Sequence, residues 1–495
     1  MAKTIHLFLL FCTSIVCGQT TLSTYAIDLK TSKNEVQIIN AVNSRTQELF
    51  VFIAEPTKVT LLKYNKALFL KDQFTSSRLR YSSENSLLGY SFNEDGNPTL
   101  FWKLNNTNII LISNYSFENK TCQNKIFKVP LNEQNWLVTF QNNDLFHLLT
   151  KHKSESNFIL YVFKNGICEA KKIDFSSYAF QENNSIPVSL NYILKKYPIQ
   201  KMDTESPNSL FDTSLKSKLY ALKDHLILTF DHHLQYTLFF DINLISNTVA
   251  DKKIKHSDLL DTKRLSNSFF SGDKLFQYCA NSDAFSFSIT DSRSDQLLKQ
   301  IKIAKTDSVF FKNSPFFYQK NDGKPRKIKN TKKFLQELLV QDIGLSVYQN
   351  RDENYVTFGG TSVTESFIST MATPDLMQDN TFDFYNNGYF VTNSEMVYFE
   401  SLLDDKLEFV TQERLYPLAF ENLMLFLNEH KEIELENIFR YEDYYVLGYY
   451  DGFSKQFVMR KFTDGFYFEE KNPVITRSYF SQPVRFKSIK PNRNP

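Results

Sequence analysis

The chain has 495 residues, with 57 basic against 55 acidic side chains and 42% apolar residues. That apolar share supplies a large core and excludes wholesale disorder. The near balance of charge excludes the basic excess of a global nucleic-acid binder, and 47 Phe and 26 Tyr against 13 Gly favour strands over helices.

The chain opens MAKTIHLFLLFCTSIVCGQTT. Lys3 gives a positive start, Ile5 to Val16 an apolar run of about a dozen residues, and Gly18 a small residue at a cleavage position. Such a run has the length of a signal-peptide core and falls short of a transmembrane helix. The stretch Cys17-Gly18-Gln19 resembles secretory signals of Bacteroidota, a resemblance confined to the leader. It implies cleavage after Gly18 and export to the periplasm or beyond. A lipid anchor at Cys17 is the rival reading, and Val16 fits poorly the small residue that such processing needs. No other segment approaches 18 apolar residues, so no transmembrane helix is expected in the mature chain. Removing the leader leaves Cys122, Cys168 and Cys279, an odd count that argues against a disulfide framework. Cys122–Cys168 is the one candidate bridge. Cys279, mid-strand beside Tyr278, reads as a packing thiol, and no cysteine has zinc-site spacing.

From there one grammar recurs: an apolar run, a polar turn, a second apolar run, a short closing run. It is seen at 49–74 (LFVFIAEPTKVTLLKYNKALFLKDQF), 86–117 and 144–175, the last preceded by the strand-like NWLVTF at 135–140. It returns at 225–256, preceded by SKLYAL at 217–222, and at 274–303 (KLFQYCANSDAFSFSITDSRSDQLLKQIKI). Weaker copies start near Ile343 and Tyr389, and a last one runs from 444 to 468. NEDGNP at 93–98 and YDGFSK at 450–455 carry the Asp-Gly chemistry of hairpin turns.

Runs such as LFVFIA and HLILTF are apolar at nearly every position, so both faces of those strands should be covered. Antiparallel strands covered on both faces are expected where small sheets stack face to face around an axis. The expected fold is therefore all-β: a β-propeller of about seven or eight irregular blades with short helical insertions. Stacked β-sandwiches and an outer-membrane barrel are the alternatives; the tail KPNRNP lacks the closing aromatic strand of a barrel. Insertions fall near 176–216, 320–341 and 365–431, within a repeat domain spanning 19–470, between the leader (1–18) and a basic C-terminal segment (471–495). The first insertion, with Pro187, Pro198 and Pro207, reads as a long loop or linker. The second reads as a basic loop and a helix capped by Thr331 with Phe334, Leu335, Leu338 and Leu339 on one side. The third includes Phe420, Leu423, Met424 and Leu427 at helical spacing. Over roughly two-thirds of the chain the pattern resembles secreted proteins of β-propeller type, at the level of repeat grammar. The Trp-Asp ending of WD40 blades and the glycine pair of kelch blades are absent, so no family's site residues carry over.

Candidate chemistry is sparse. Asp231, His232 and His233 in FDHHLQY are metal-ligand types, but neighbouring strand residues point to opposite faces unless a turn intervenes. Tyr441, Tyr444, Tyr445, Tyr449 and Tyr450 offer faces suited to sugar stacking or a protein interface, and equally suit strand packing. Lys324, Arg326, Lys327 and Lys329 form a basic stretch suited to an anionic surface. The pair Gly359-Gly360 reads as a turn into an insert, and Asp404-Asp405 as a solvated turn. The chain lacks G-x-S-x-G and H-E-x-x-H, and no cofactor is expected. The sequence points to an exported, non-enzymatic protein that binds a protein or glycan partner at the cell envelope. The alternative is an extracytoplasmic hydrolase or lyase with its site at the channel mouth.

Overall fold

The computed structural model describes residues 19–29, 35–78, 86–104, 107–183, 186–257, 265–321, 323–369, 388–411 and 417–464, with backbone alone at 19, 365–369 and 388–391. Strand β1 (Gln19–Ala26) comes first. Blade 1 is β2 (Gln37–Val42), β3 (Leu49–Ala54), β4 (Lys58–Tyr64) and β5 (Leu70–Ser77). Blade 2 is β6 (Ser86–Phe92), β7 (Pro98–Lys103), β8 (Ile109–Ser116) and β9 (Thr121–Lys128). Blade 3 is β10 (Gln134–Asn142), β11 (Leu145–His152), β12 (Asn157–Lys164) and β13 (Ile167–Asp174).

An insertion follows: the short pair β14 (Phe180–Gln181) and β15 (Pro187–Val188), helix α1 (Leu190–Lys196), β16 (Ile199–Met202) and the single turn α2 (Leu210–Thr213). Blade 4 is β17 (Ser217–Ala221), β18 (His225–Phe230), β19 (Tyr236–Asn243) and β20 (Val249–Lys255), with β16 added in parallel to β17. Blade 5 is β21 (Leu265–Ser271), β22 (Lys274–Ala280), β23 (Ala284–Asp291) and β24 (Leu297–Ala304).

Blade 6 starts from its outer side with β25 (Phe316–Lys320) and β26 (Arg326–Ile328). Helix α3 (Thr331–Leu338) then leads to β27 (Asp342–Asn350), β28 (Glu353–Ser369) and β29 (Gly388–Leu403). Helix α4 (Ala419–Glu429) precedes blade 7, which is β30 (Glu434–Tyr441), β31 (Tyr444–Asp451), β32 (Gln456–Phe462) and, as its fourth strand, β1. Gln19 to Ala26 pair antiparallel with Phe462 to Gln456, so the start of the described chain completes the last blade.

Burial follows position in the blade. The six residues of β3 are all buried, whereas the outer strand β5 alternates exposed and half-buried. Middle strands are covered on both faces by neighbouring blades, which is why LFVFIA and HLILTF lack polar alternation. Two-residue hairpins use residues that tolerate positive φ: Asn143-Asp144 (50° and 59°), Asn165-Gly166 (51° and 74°) and Gly272-Asp273 (53° and 64°). Positive φ at both central positions matches the right-handed strand twist.

The blades close into a ring. Apolar clusters join blades 1 and 2, 2 and 3, and 3 and 4, run through blades 4, 5 and 6, and join blade 7 back to blade 1. Seven units of four or five strands with this closure make the protein a seven-bladed β-propeller. The expected weak copies at Ile343 and Tyr389 prove to be strands of one blade, because β28 and β29 form one long hairpin.

Two other expectations change. The described residues of 176–216 form strands and helices rather than a linker, and 199–214 runs along the inner side of several blades. Asn208 and Glu205 backbone carbonyls accept from Ser346 Oγ at 2.8 Å and Arg440 Nη1 at 2.9 Å, and the Ser214 carbonyl from Asn267 Nδ2 at 3.0 Å. Helix α3 is capped by Asn330, whose side chain accepts from Lys333 N at 3.0 Å, and Thr331 is the first helical residue.

Candidate functional site between blades 6 and 7

The junction of blades 6 and 7 is built differently from the others. One face of blade 6 carries Ile343, Leu345, Val347, Val356, Phe358 and Phe399 into the core shared with blade 5. The alternation of strand side chains sends the next residues to the opposite face. There the register sets Ser346 opposite Thr357 and Thr357 opposite Glu400, with Tyr348 opposite Tyr355 one step on. Blade 7 meets this row at Tyr348, whose Oη lies 3.3 Å from Tyr445 Oη, and α4 lies over the blade 7 face with Leu423 and Phe426 against Tyr445, Leu447, Tyr449 and Phe462.

The result is a cleft of about 300 Å³, its open mouth included, lined by Ser346, Tyr348, Tyr355, Val356, Thr357, Glu400, Ser401 and Glu421. Two carboxylates lie in it, Glu400 at 5% and Glu421 at 0% exposure. Glu421 Oε2 accepts from Leu418 N at 2.8 Å, which fixes the carboxylate at the start of α4. Glu400 is fixed through its backbone, whose N–H donates to Ser314 Oγ at 2.9 Å. Tyr398, two residues before Glu400 on the same strand face, has its phenol raised well above the ordinary range, by burial first and then by the charges of Glu400 and Glu421. Ser401, opposite Val356 in the register, belongs to the other face of β29, where its hydroxyl is buried without a hydrogen-bond partner among the described residues. A paired carboxylate cleft of this kind can hold a cation or share a proton.

Asp231, His232 and His233 each meet protein partners, and these differ. Asp231 enters the interior between blades 4 and 5: Oδ2 accepts from Lys218 Nζ at 3.0 Å and from Ser268 N and Oγ at 3.0 and 2.9 Å, and Oδ1 from Thr237 Oγ1 at 2.7 Å. His232 donates from Nε2 to the Gln181 carbonyl at 3.1 Å and stacks on Tyr197; burial lowers its pKa. His233 accepts from Gln235 N at 3.1 Å and stacks on Tyr236 with ring centroids 3.9 Å apart. Among the described residues no three His, Cys, Asp or Glu side chains gather as metal ligands.

All five tyrosines of blade 7 are buried. Tyr441 and Tyr444 pack toward blade 1 and Tyr445 and Tyr449 against α4, and Tyr441 Oη lies 2.8 Å from both the Gln47 and Lys66 carbonyls, which share its single hydrogen. Their ring faces are spent on packing, which departs from the sugar-platform expectation. Lys324, Arg326, Lys327 and Lys329 are exposed on β26 and its flanks. Arg326 reaches Glu337 at 3.8 Å and lies over the Tyr318 ring, while Lys324, Lys327 and Lys329 make no ion pair with a described residue. The cysteines are free: Cys122 packs into the cluster of blades 1 and 2 and Cys168 into that of blades 2 and 3, which separates the candidate bridge. The leader and the basic segment 471–495 lie outside the described residues.

Sequence order, closure and blade count define a β-propeller. No family model and no curated protein matches the chain. Among solved structures, it is similar to the Cps50 (Swd1) β-propeller domain of Myceliophteria thermophila, at 9% identity and TM-score 0.31, over 89% of this chain and 99% of that one. It is similar also to an oligogalacturonate lyase in complex with manganese, at 10% identity and TM-score 0.32, over 90% of this chain and 97% of that one. The WD40 domain of SCAP from fission yeast matches at 9% identity and TM-score 0.26, over 90% of this chain and 94% of that one. Likeness of fold assigns no activity.

Proposed function

We propose that the protein is an exported, non-enzymatic propeller that binds an anionic protein or glycan partner at the cell envelope. The observation that carries this reading is the basic rim of blade 6, where Lys324, Lys327 and Lys329 make no ion pair with a described residue, continued by the exposed Lys332 and Lys333 at the start of α3. Cations left without carboxylates on one edge attract an anionic surface at moderate salt. One further feature supports it. Segment 199–214 bonds to inner residues of blades 5, 6 and 7, so the chain itself fills space where a hydrolase or lyase would place substrate. No helix among the described residues is long and apolar enough to cross a membrane.

The test is retention of the mature chain on a sulfated polysaccharide column, eluted by salt. The variant with Lys324, Arg326, Lys327 and Lys329 all changed to Gln should elute at clearly lower salt. Elution at the same salt as the parent sinks the reading, as does recovery of the native protein from the cytosol with its leader intact.

A further inference from the structure

We propose that residues 471–495 dock on the face of the propeller where the first and second strands of each blade turn, and that they neutralise the carboxylates of that face. The interaction is separate from the basic rim of blade 6 and rests on different observations.

The hairpin turns between first and second strands meet around one mouth. Ser44 N, in the turn between β2 and β3, donates to Asp144 Oδ1 at 2.9 Å, and Phe92 N donates to the Asp144 carbonyl at 2.8 Å. Asn143 Nδ2 donates to the Lys223 carbonyl at 2.8 Å, and Tyr441 Oη lies 2.8 Å from the Gln47 carbonyl, so blades 1, 2, 3, 4 and 7 share this rim. Segment 203–207 crosses the same mouth. It leaves β16 where Met202 stands opposite Tyr220, just before β17 turns, and its Glu205 carbonyl accepts from Arg440 Nη1.

Negative charge collects there. Asp95, Asp224, Asp352 and Asp443 of these turns, with Asp203 and Glu205 of the crossing segment, make no ion pair with a described residue, and all but Asp224 are exposed. The turns at the other end of the blades differ: Glu55 pairs with Lys58, Glu155 with Lys172 and Asp283 with Lys305. Charges left unpaired on one face attract a cationic chain over about 8 Å at physiological salt. The same face exposes large apolar side chains where third strands turn into fourth ones, at Phe69 (70%), Ile167 (71%) and Ile245 (73%). Lys66–Glu442 and Lys164–Glu94 contacts join those outer turns to the inner ones.

The chain carries a segment of matching chemistry. Residues 471–495 hold Lys471, Arg477, Arg485, Lys487, Lys490 and Arg493, no Asp or Glu, and Tyr479, Phe480 and Phe486 among the cations. The last described residue, Asp464, stands on this face: its Oδ2 accepts from Asn350 Nδ2 at 3.1 Å and lies 3.9 Å from Arg351, at the turn of blade 6. Six residues separate Asp464 from Lys471, a reach of at most roughly 25 Å. A tethered segment binds at an effective concentration of millimolar order, so a small gain from each exposed ion pair is enough.

The experiment couples carboxylates to lysines with a zero-length carbodiimide in the full mature chain at low concentration, and maps the linked peptides by mass spectrometry. The expected result is links from Lys471, Lys487 or Lys490 to the six carboxylates, found within monomers. A fluorescent peptide of residues 471–495 gives the second readout. It should bind saturably to a chain stopped after Glu470, and at least about tenfold more weakly to the full chain, whose own segment holds the face. Asp203→Asn, Glu205→Gln and Asp352→Asn together in the shortened chain should weaken the peptide severalfold at low salt. Asparagine at 203 keeps the oxygen that accepts from Glu205 N and Ser206 N, so the turn is preserved. Absence of such links, a peptide that binds both chains alike or neither, or binding that the neutralised variant keeps in full overturns the proposal. Links found only in dimers place the segment on a second copy and overturn it too. Changing Lys324, Arg326, Lys327 and Lys329 to Gln should leave the links unchanged, so failure of this face and failure of the basic rim are read separately.

Discussion

Lys218 Nζ lies 3.0 Å from Asp231 Oδ2, and both side chains have no solvent exposure at all. Lys218 also donates to Asn267 Oδ1 at 2.8 Å, and Asp231 is bonded from Ser268 and Thr237, so the pair ties blade 4 to blade 5. Burial pushes the Lys218 ammonium below its ordinary pKa, and the Asp231 charge partly restores it. Burial works to raise Asp231, but Lys218, Thr237, His256 and Lys216 together hold it lower than usual. Removing one partner strands the other charge in a site without water. Asp231→Ala should therefore cost about 3–5 kcal/mol of stability, measured as the midpoint of urea unfolding. Lys218→Met placed in the same chain should recover part of that loss. If the double variant is as unstable as the sum of the singles, the two residues do not act as a pair.

His147 gives the protein an acid-sensitive point. Its ring lies flat on Phe140, with centroids 4.8 Å apart and planes 1° apart, and it is 4% exposed. Burial brings its pKa down from 6.5 to about 4, against a smaller opposing effect of a backbone hydrogen bond at Leu145. Between those values the unfolded chain binds a proton that the folded chain refuses. Stability from this residue is thus full above pH 6.5 and falls as the pH drops toward 4. The loss over that window is about 3 kcal/mol. His147→Phe should flatten the unfolding free energy between pH 6.5 and 4 relative to the parent. A parent and variant that run parallel across the window would show that His147 takes its proton in the folded state.

The sequence exposes the repeat because the middle strands are covered twice. LFVFIA, HLILTF and KLFQYCA need no alternation, and their density marks each blade. It hides what depends on distant segments. Gly359 and Gly360 look like a turn but lie mid-strand in β28. A Cβ at Gly359 would meet the Val397 carbonyl and lie 3.0 Å from Leu210 Cδ1, so the glycine makes room for α2, about 150 residues earlier. The tyrosines of YEDYYVLGYYDG carry no mark that separates a packed ring from an exposed one. Glu400 and Glu421 belong to no motif, although a Glu within the apolar run MVYFESLL signals that one strand face meets something polar.

The closing strand is the least legible element, since nothing near residue 456 announces that its partner is residue 26. The last unit contributes only three strands of its own, between 434 and 462. Strand β1 fills that gap and brings Leu22 and Tyr25 against the cluster that joins blades 7 and 1, with Ile27 just beyond. Ring closure by one strand from the other end of the chain ties the two termini of the fold together, so its loss should be felt locally first. In a mature chain shortened to start at Asp28, the amides of β32 lose their outer partner. Hydrogen exchange in β32 and β31 should accelerate strongly, while β11 and β12 of blade 3, on the other side of the ring, keep the parent's protection. A milder pair, Leu22→Ser with Tyr25→Ser, removes side-chain packing and keeps the backbone ladder, and should show the same pattern at smaller amplitude. Unchanged protection in β32 after truncation would mean that blade 7 holds without its fourth strand.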